Sequence, residues 1–281
     1  MSSNFWHSKG VSANIGGRSL FFLVPARLMW YNVSCLHPAG GVKERLLRTL
    51  AGRRWQKAYG GWIMNVLFIG NSFTYFNAMP DMVQMMADTA GLSAKIQMLA
   101  YGGYCLKQHT TAEDAHFGEA EALLKDPWDV VVLQEQSNAP ALHYDVFEEG
   151  VAALIPFIRA AGAKPLFYMT WPYRRNSLKL QNCGMEYSEM QVRLDSGYRR
   201  QMQKYEAEGV AVGDMFVELE RRLPYFTPYA EDCFHPNVAG SYVAACLFFK
   251  TLFGREAPEP SAYCPAGLEQ SFAALLRRNM A

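Results

Sequence analysis

Val66-Leu67-Phe68-Ile69-Gly70-Asn71-Ser72-Phe73-Thr74 runs from a continuous apolar segment directly into a Gly-Asn-Ser turn. An apolar stretch this short, closed by glycine, reads as a strand buried on both faces. Residues 78–90 follow as a helix, with Met79, Met82, Val83 and Met86 on one face. The alternation then repeats. Strands are expected at 65–69, 94–100, 129–133, 165–170 and 210–212. Helices are expected at 105–125, 145–161, 186–207, 214–222, 237–253 and 266–278, with Pro236 suited to the first turn of the 237–253 helix.

Five strands separated by helices imply an α/β fold with a parallel sheet covered on both faces. In such sheets ligands bind beyond the carboxyl ends of the strands. Ser72 follows the first strand, Gly102-Gly103 the second, and Gln134-Glu135-Gln136-Ser137-Asn138 the third. All three segments therefore reach one edge. Trp171, Tyr173, Arg174 and Arg175 follow the fourth strand to the same edge. Trp171 and Arg174 are the expected pocket-lining pair, the aromatic to stack on a sugar and the arginine to pair with an acid.

Far downstream, Asp232-Cys233-Phe234-His235-Pro236 places an acid three residues before a histidine. A serine hydroxyl is a poor nucleophile at pH 7 and needs a base within hydrogen-bond reach. The imidazole in turn needs a partner on its other nitrogen to fix tautomer and orientation. Ser72, His235 and Asp232 supply these three parts, in a chain order that serine hydrolases use. Taken singly, each has a plainer reading: a helix cap, a surface histidine, a solvated loop acid.

Taken together, these segments resemble the SGNH (GDSL-like) hydrolases, in particular the subgroup with the DUF4886 domain. Gly70-Asn71-Ser72-Phe73-Thr74 resembles the first block of that family and Asp232-Cys233-Phe234-His235 the last. Val132-Leu133-Gln134-Glu135-Gln136-Ser137 and Gly240-Ser241-Tyr242 are similar to the subgroup. The resemblance covers about residues 64–255. It implies a flavodoxin-like three-layer α/β/α sandwich with a five-stranded parallel sheet, with Ser72 as nucleophile, His235 as base and Asp232 as its partner. It also implies an oxyanion hole built from the Ser72 N–H, a backbone N–H of the second block and an amide side chain of the third. The second-block donor aligns with Gly103 or with Cys105. The third block lacks Gly-x-Asn-Asp, so the amide is Gln136, with Asn138 and Gln134 as alternatives.

The implied activity is that of a serine esterase or deacylase releasing small acyl groups such as acetyl. Acylated carbohydrate is the preferred substrate class by family analogy. No cofactor is required. A reading of another class is a non-catalytic carbohydrate- or ligand-binding protein on the same fold. His109, His116 and His143 lack the acid or cysteine spacing of a metal site, and none is expected.

Composition sets the remaining bounds. Half of the 281 residues are apolar, which suffices for a sizeable core. Residues 1–63 hold nine basic side chains and one acid, Glu44, which leaves 18 basic and 25 acidic residues in 64–281. A body of about −7 does not attract nucleic acid or an anionic membrane surface. The first 63 residues are expected to be a loose basic extension or a misassigned start ahead of a domain at 64–281. A short basic helix at 42–58, or a nucleic-acid arm interleaved with Trp55 and Tyr59, are the other readings of that segment. The six cysteines form no Cys-x-x-Cys pair, and Cys246 falls on an apolar helix face. Reduced thiols and the absence of a long apolar run point to a cytoplasmic protein. The oligomeric state is not encoded in any of these features.

Overall fold

The computed structural model describes residues 11–15, 18–22 and 63–280. The chain divides into two compact units, Met1–Gln56 and Lys57–Ala281. In the first, strand β1 (Val11–Ile15) pairs antiparallel with β2 (Arg18–Phe22), Val11 facing Phe22 and Ile15 facing Arg18. The expected helix at 42–58 lies outside the described residues.

The second unit is built on five parallel strands: β3 (Met64–Gly70), β4 (Ala94–Ala100), β5 (Val130–Leu133), β6 (Lys164–Met169) and β7 (Glu208–Ala211). Their order is β4-β3-β5-β6-β7, every pair parallel. The chain winds from β3 one way to β4, then back past β3 to β5. The loops after β3 and β5 therefore leave in opposite directions and open a crevice between them, the topological switch point of a flavodoxin-like sheet.

Successive residues of β3 feed two separate cores. Val66 and Phe68 pack with helices Met79–Thr89, Val212–Arg222, Val238–Phe253 and Gln270–Met280. Leu67 and Ile69 pack with Phe147, Val151, Leu154 and Ile158 of helix Tyr144–Ala160 and with Tyr198 of helix Tyr187–Tyr205. All four strand residues are fully buried. The two-residue side-chain period alone sends them to opposite faces, and burial on both explains why this strand reads as uninterrupted apolar sequence. Each such side chain contributes about 1.5–3 kcal/mol. The edge strand β4 instead leaves Lys95 and Gln97 exposed.

Several expected elements differ in detail. The helical stretch at 105–125 is a 3₁₀ turn, Leu106–Thr110, and a short helix, Glu119–Leu123. The hydroxyls of Thr110 and Thr111 both donate to the Lys107 carbonyl and close the first turn, and Gly118 at φ +86° starts the second. The last strand is Glu208–Ala211 rather than 210–212, ending one residue earlier than expected because Val212 opens the next helix. Pro236 precedes its helix rather than entering it. Asn237 is the cap, its side chain accepting from the Gly240 N–H at 2.9 Å, while Pro236 bridges to Tyr229. Among the described residues no helix is long and apolar enough to cross a membrane.

Candidate active site

Ser72 opens a one-turn helix, Ser72–Tyr75, at the carboxyl end of β3. Asn71 caps that helix, its Oδ1 accepting from the Phe73 N–H at 3.0 Å. The Asn71 N–H and the Thr74 hydroxyl both donate to Gln134 Oε1, at 3.0 and 2.8 Å. Gly70 makes this convergence possible: a Cβ there would stand 2.5 Å from Thr74 Oγ1 and 2.7 Å from Gln134 Oε1. The Gly70 carbonyl meets His109 Nε2 at 3.0 Å, and burial lowers the His109 pKa, so this imidazole is neutral and donates.

His235 arrives from the opposite end of the chain. Its Nε2 lies 2.7 Å from Ser72 Oγ, and its Nδ1 lies 2.6 Å from Asp232 Oδ2. Asp232 Oδ1 accepts from the N–H groups of Phe234 and His235, at 3.2 and 3.0 Å, so acid and imidazole share one tight turn. Cys233 completes the turn at φ +70°, a region that non-glycine residues rarely occupy. Burial pushes the Asp232 carboxyl up, but hydrogen bonds from the imidazole and the two N–H groups outweigh it and hold the pKa below its ordinary value. An ionised carboxylate only accepts, so Nδ1 carries the imidazole proton and Nε2 accepts from the serine hydroxyl. The ring stacks on Phe76, with centroids 3.9 Å apart and planes at 3°.

The Ser72 hydroxyl and the imidazole border a cavity of about 220 Å³. Of the four candidate oxyanion residues, Gly103 and Gln136 lie on its wall; Asn138 and Gln134 do not. Gln134 is fully buried and spent on tying the β3 and β5 loops together, its Nε2 donating to the Glu135 carbonyl. Asn138 turns its Nδ2 toward Cys183 Sγ, 3.9 Å away. Gln136 Nε2 donates once, to Ser137 Oγ at 3.1 Å, and an amide nitrogen carries a second proton. The second-block alternatives separate as well. The Cys105 N–H is taken by Gln108 Oε1 at 3.0 Å, whereas the Gly103 N–H has no partner among the described residues.

The expected lining pair requires correction. Trp171 is fully buried beneath the site. It stacks on Phe73 at 4.6 Å and donates from Nε1 to the Phe234 carbonyl at 3.0 Å, which braces the His235 turn. Arg174 is exposed and lines no part of the cavity. The cavity walls instead hold Phe234 and Lys179. The sequence reading missed both, along with Phe76 and Glu135. Glu135 is fully buried, and its carboxylate accepts from the N–H groups of Gln136 at 2.6 Å and Leu106 at 3.2 Å. Burial pushes its pKa up to about 7, against the lowering effect of those two bonds. Its place in a Gln-Glu-Gln run at a strand end was the one available signal, and it does not distinguish a buried acid from a solvated one. Among the described residues no group of three His, Cys, Asp or Glu side chains is placed to hold a metal ion.

No family model and no curated protein matches the chain. Solved structures do. A protein from Slackia heliotrinireducens, assigned as an SGNH hydrolase, is 31% identical; the match covers 68% of this chain and 100% of that one, with a TM-score of 0.58. A DUF4886 family protein from Bacteroides uniformis is 20% identical over 78% of this chain and 94% of its own, with a TM-score of 0.64. An acetyl xylan esterase is 17% identical over 67% of this chain and 99% of its own, with a TM-score of 0.52. The last two likenesses concern the fold alone.

Proposed function

The chain belongs to the SGNH hydrolase family, and from that premise we propose that it is a serine esterase releasing small acyl groups. The observation that carries this reading is the unbroken relay of Asp232, His235 and Ser72, with contacts of 2.6 and 2.7 Å, ending on the wall of a cavity.

Ser72 Oγ attacks the ester carbonyl while His235 Nε2 takes its proton. Asp232 acts as a positioning residue: it fixes the tautomer and stabilises the imidazolium. Negative charge gathers on the carbonyl oxygen, where the N–H groups of Ser72 and Gly103 and the Gln136 amide receive it. His235 then protonates the leaving alcohol. Water, deprotonated by the same nitrogen, releases the acid from the acyl-enzyme. The 220 Å³ cavity suits a short acyl chain. Acetylated carbohydrate is the substrate class that family analogy favours.

Hydrolysis of 4-nitrophenyl acetate by the wild type and by Ser72→Ala tests this. A loss of about three orders of magnitude or more in the variant supports it. Equal rates, with no fluorophosphonate labelling of Ser72, refute it and favour a binding protein on this fold.

A further inference from the structure

Among the described residues, Lys179 is the one lysine or arginine on the wall of the Ser72 cavity, and no acidic side chain lines that wall. It sits in the short helix Leu178–Asn182, which is anchored by Ser177 Oγ accepting from the Leu180 N–H at 3.2 Å. The Lys179 ammonium stands 3.7 Å from the centre of the Phe234 ring and 5.3 Å from that of Tyr173. Phe234 directly precedes His235, so the charge is held beside the base and the nucleophile.

A ring face attracts the ammonium without taking up its N–H donors as a carboxylate would. Among the described residues no carboxylate forms an ion pair with Lys179. Lys107, Lys125, Lys204 and Lys250 each have a glutamate partner. Asp232, the acid bonded to His235, has both oxygens committed to His235 and to the Phe234 and His235 N–H groups. A fixed cation without a counter-charge beside a nucleophile is suited to meet an anion carried by the substrate.

We propose that Lys179 forms an anion subsite next to Ser72, and that the preferred substrates are esters bearing a carboxylate on the acyl group or on the alcohol. This rests on the serine-esterase reading. The phenyl face of Phe234 orients the ammonium, and the carboxylate completes the ion pair only when the ester is bound.

Two matched substrate pairs test the proposal and separate the two sources of charge. On the alcohol side, 4-acetoxybenzoate is compared with its methyl ester. On the acyl side, the 4-nitrophenyl monoester of adipate is compared with 4-nitrophenyl hexanoate. The readout is the ratio of kcat/KM for the anionic ester to that for the neutral one. In at least one pair the wild-type ratio is expected to fall by roughly tenfold or more in Lys179→Met, as for a lost charge-assisted bond. Lys179→Arg is expected to retain most of the ratio, and Lys179→Glu to push it below that of Lys179→Met. The responding pair identifies the side that carries the charge. A ratio within about twofold of wild type in Lys179→Met for both pairs, with neutral esters still hydrolysed, overturns the subsite and leaves the esterase reading standing. Neutral esters hydrolysed no faster by wild type than by Ser72→Ala overturn both.

Discussion

Asn71 Nδ2 donates to the Tyr104 carbonyl at 2.7 Å, and this bond locks the loop after β3 to the loop after β4. The same side chain caps the Ser72 helix through its Oδ1. One residue thus sets both Ser72 and the segment that carries Gly103. Asn71→Asp keeps the capping acceptor but replaces the donor with an oxygen facing the carbonyl. It is expected to lose about 1–3 kcal/mol of stability, visible in urea unfolding. Its kcat is expected to fall with little change in KM, because the oxyanion donors shift. An unchanged kcat would show that the Tyr104 bond does not govern the site.

Asp232→Asn preserves shape while removing the acceptor for the imidazole proton. The expected loss in kcat is about 10³–10⁴-fold, with the protein still folded by circular dichroism. A loss under about tenfold would mean that the turn positions His235 without the carboxylate.

Gln136→Ala and Asn138→Ala separate the amide candidates. Removal of an oxyanion donor costs about 10²–10³-fold in kcat. Gln136→Ala is expected to show that loss and Asn138→Ala only a few-fold change, since Asn138 faces Cys183. The reverse pattern would move the oxyanion role to Asn138.

Glu135 gives a pH signature. Its pKa is raised from 4.5 to about 7, so the folded protein binds this proton more tightly than the unfolded chain. The stabilisation is complete below pH 4.5 and is lost as pH rises through 7. It amounts to about 3 kcal/mol across that window. Glu135→Gln removes this dependence. Comparing urea midpoints of wild type and variant at pH 5 and pH 8 isolates it, because other titrating groups cancel in the difference. Parallel behaviour of the two proteins would contradict a raised pKa.

Gly70→Ala introduces a methyl group 2.5 Å from Thr74 Oγ1 and 2.7 Å from Gln134 Oε1. Either the turn shifts or the Gln134 bonds break. A cost of about 1–3 kcal/mol is expected in thermal or chemical unfolding, together with lower esterase activity. Wild-type stability would show that the turn relaxes freely.

The sheet was legible because β3 and β5 are buried on both faces and must be apolar throughout. The chain order of loops around a parallel sheet then brought Ser72, Gly103 and Gln136 to one edge without knowledge of side-chain direction. Direction is what the sequence withheld. Trp171 follows β6 to the same edge, yet its indole turns inward to stack on Phe73, and the apolar gain of that burial leaves nothing for the cavity. Lys179 reaches the wall because helix Leu178–Asn182 folds back over the edge, a path set by tertiary packing rather than by any local pattern. The stretch 105–125, expected to be helical, is divided by two threonine hydroxyls and a left-handed glycine.

Asp232 and His235 lie within four residues of one another and share a single hydrogen-bonded turn, whereas Ser72 is 163 residues away from His235. The acid and the imidazole therefore move as one cassette. In the proposed triad the joint between distant parts of the chain is the 2.7 Å contact between Ser72 Oγ and His235 Nε2. Trp171 beneath and Phe76 alongside hold that joint shut. Loosening either aromatic is expected to move the Asp232–His235 turn as one unit relative to Ser72.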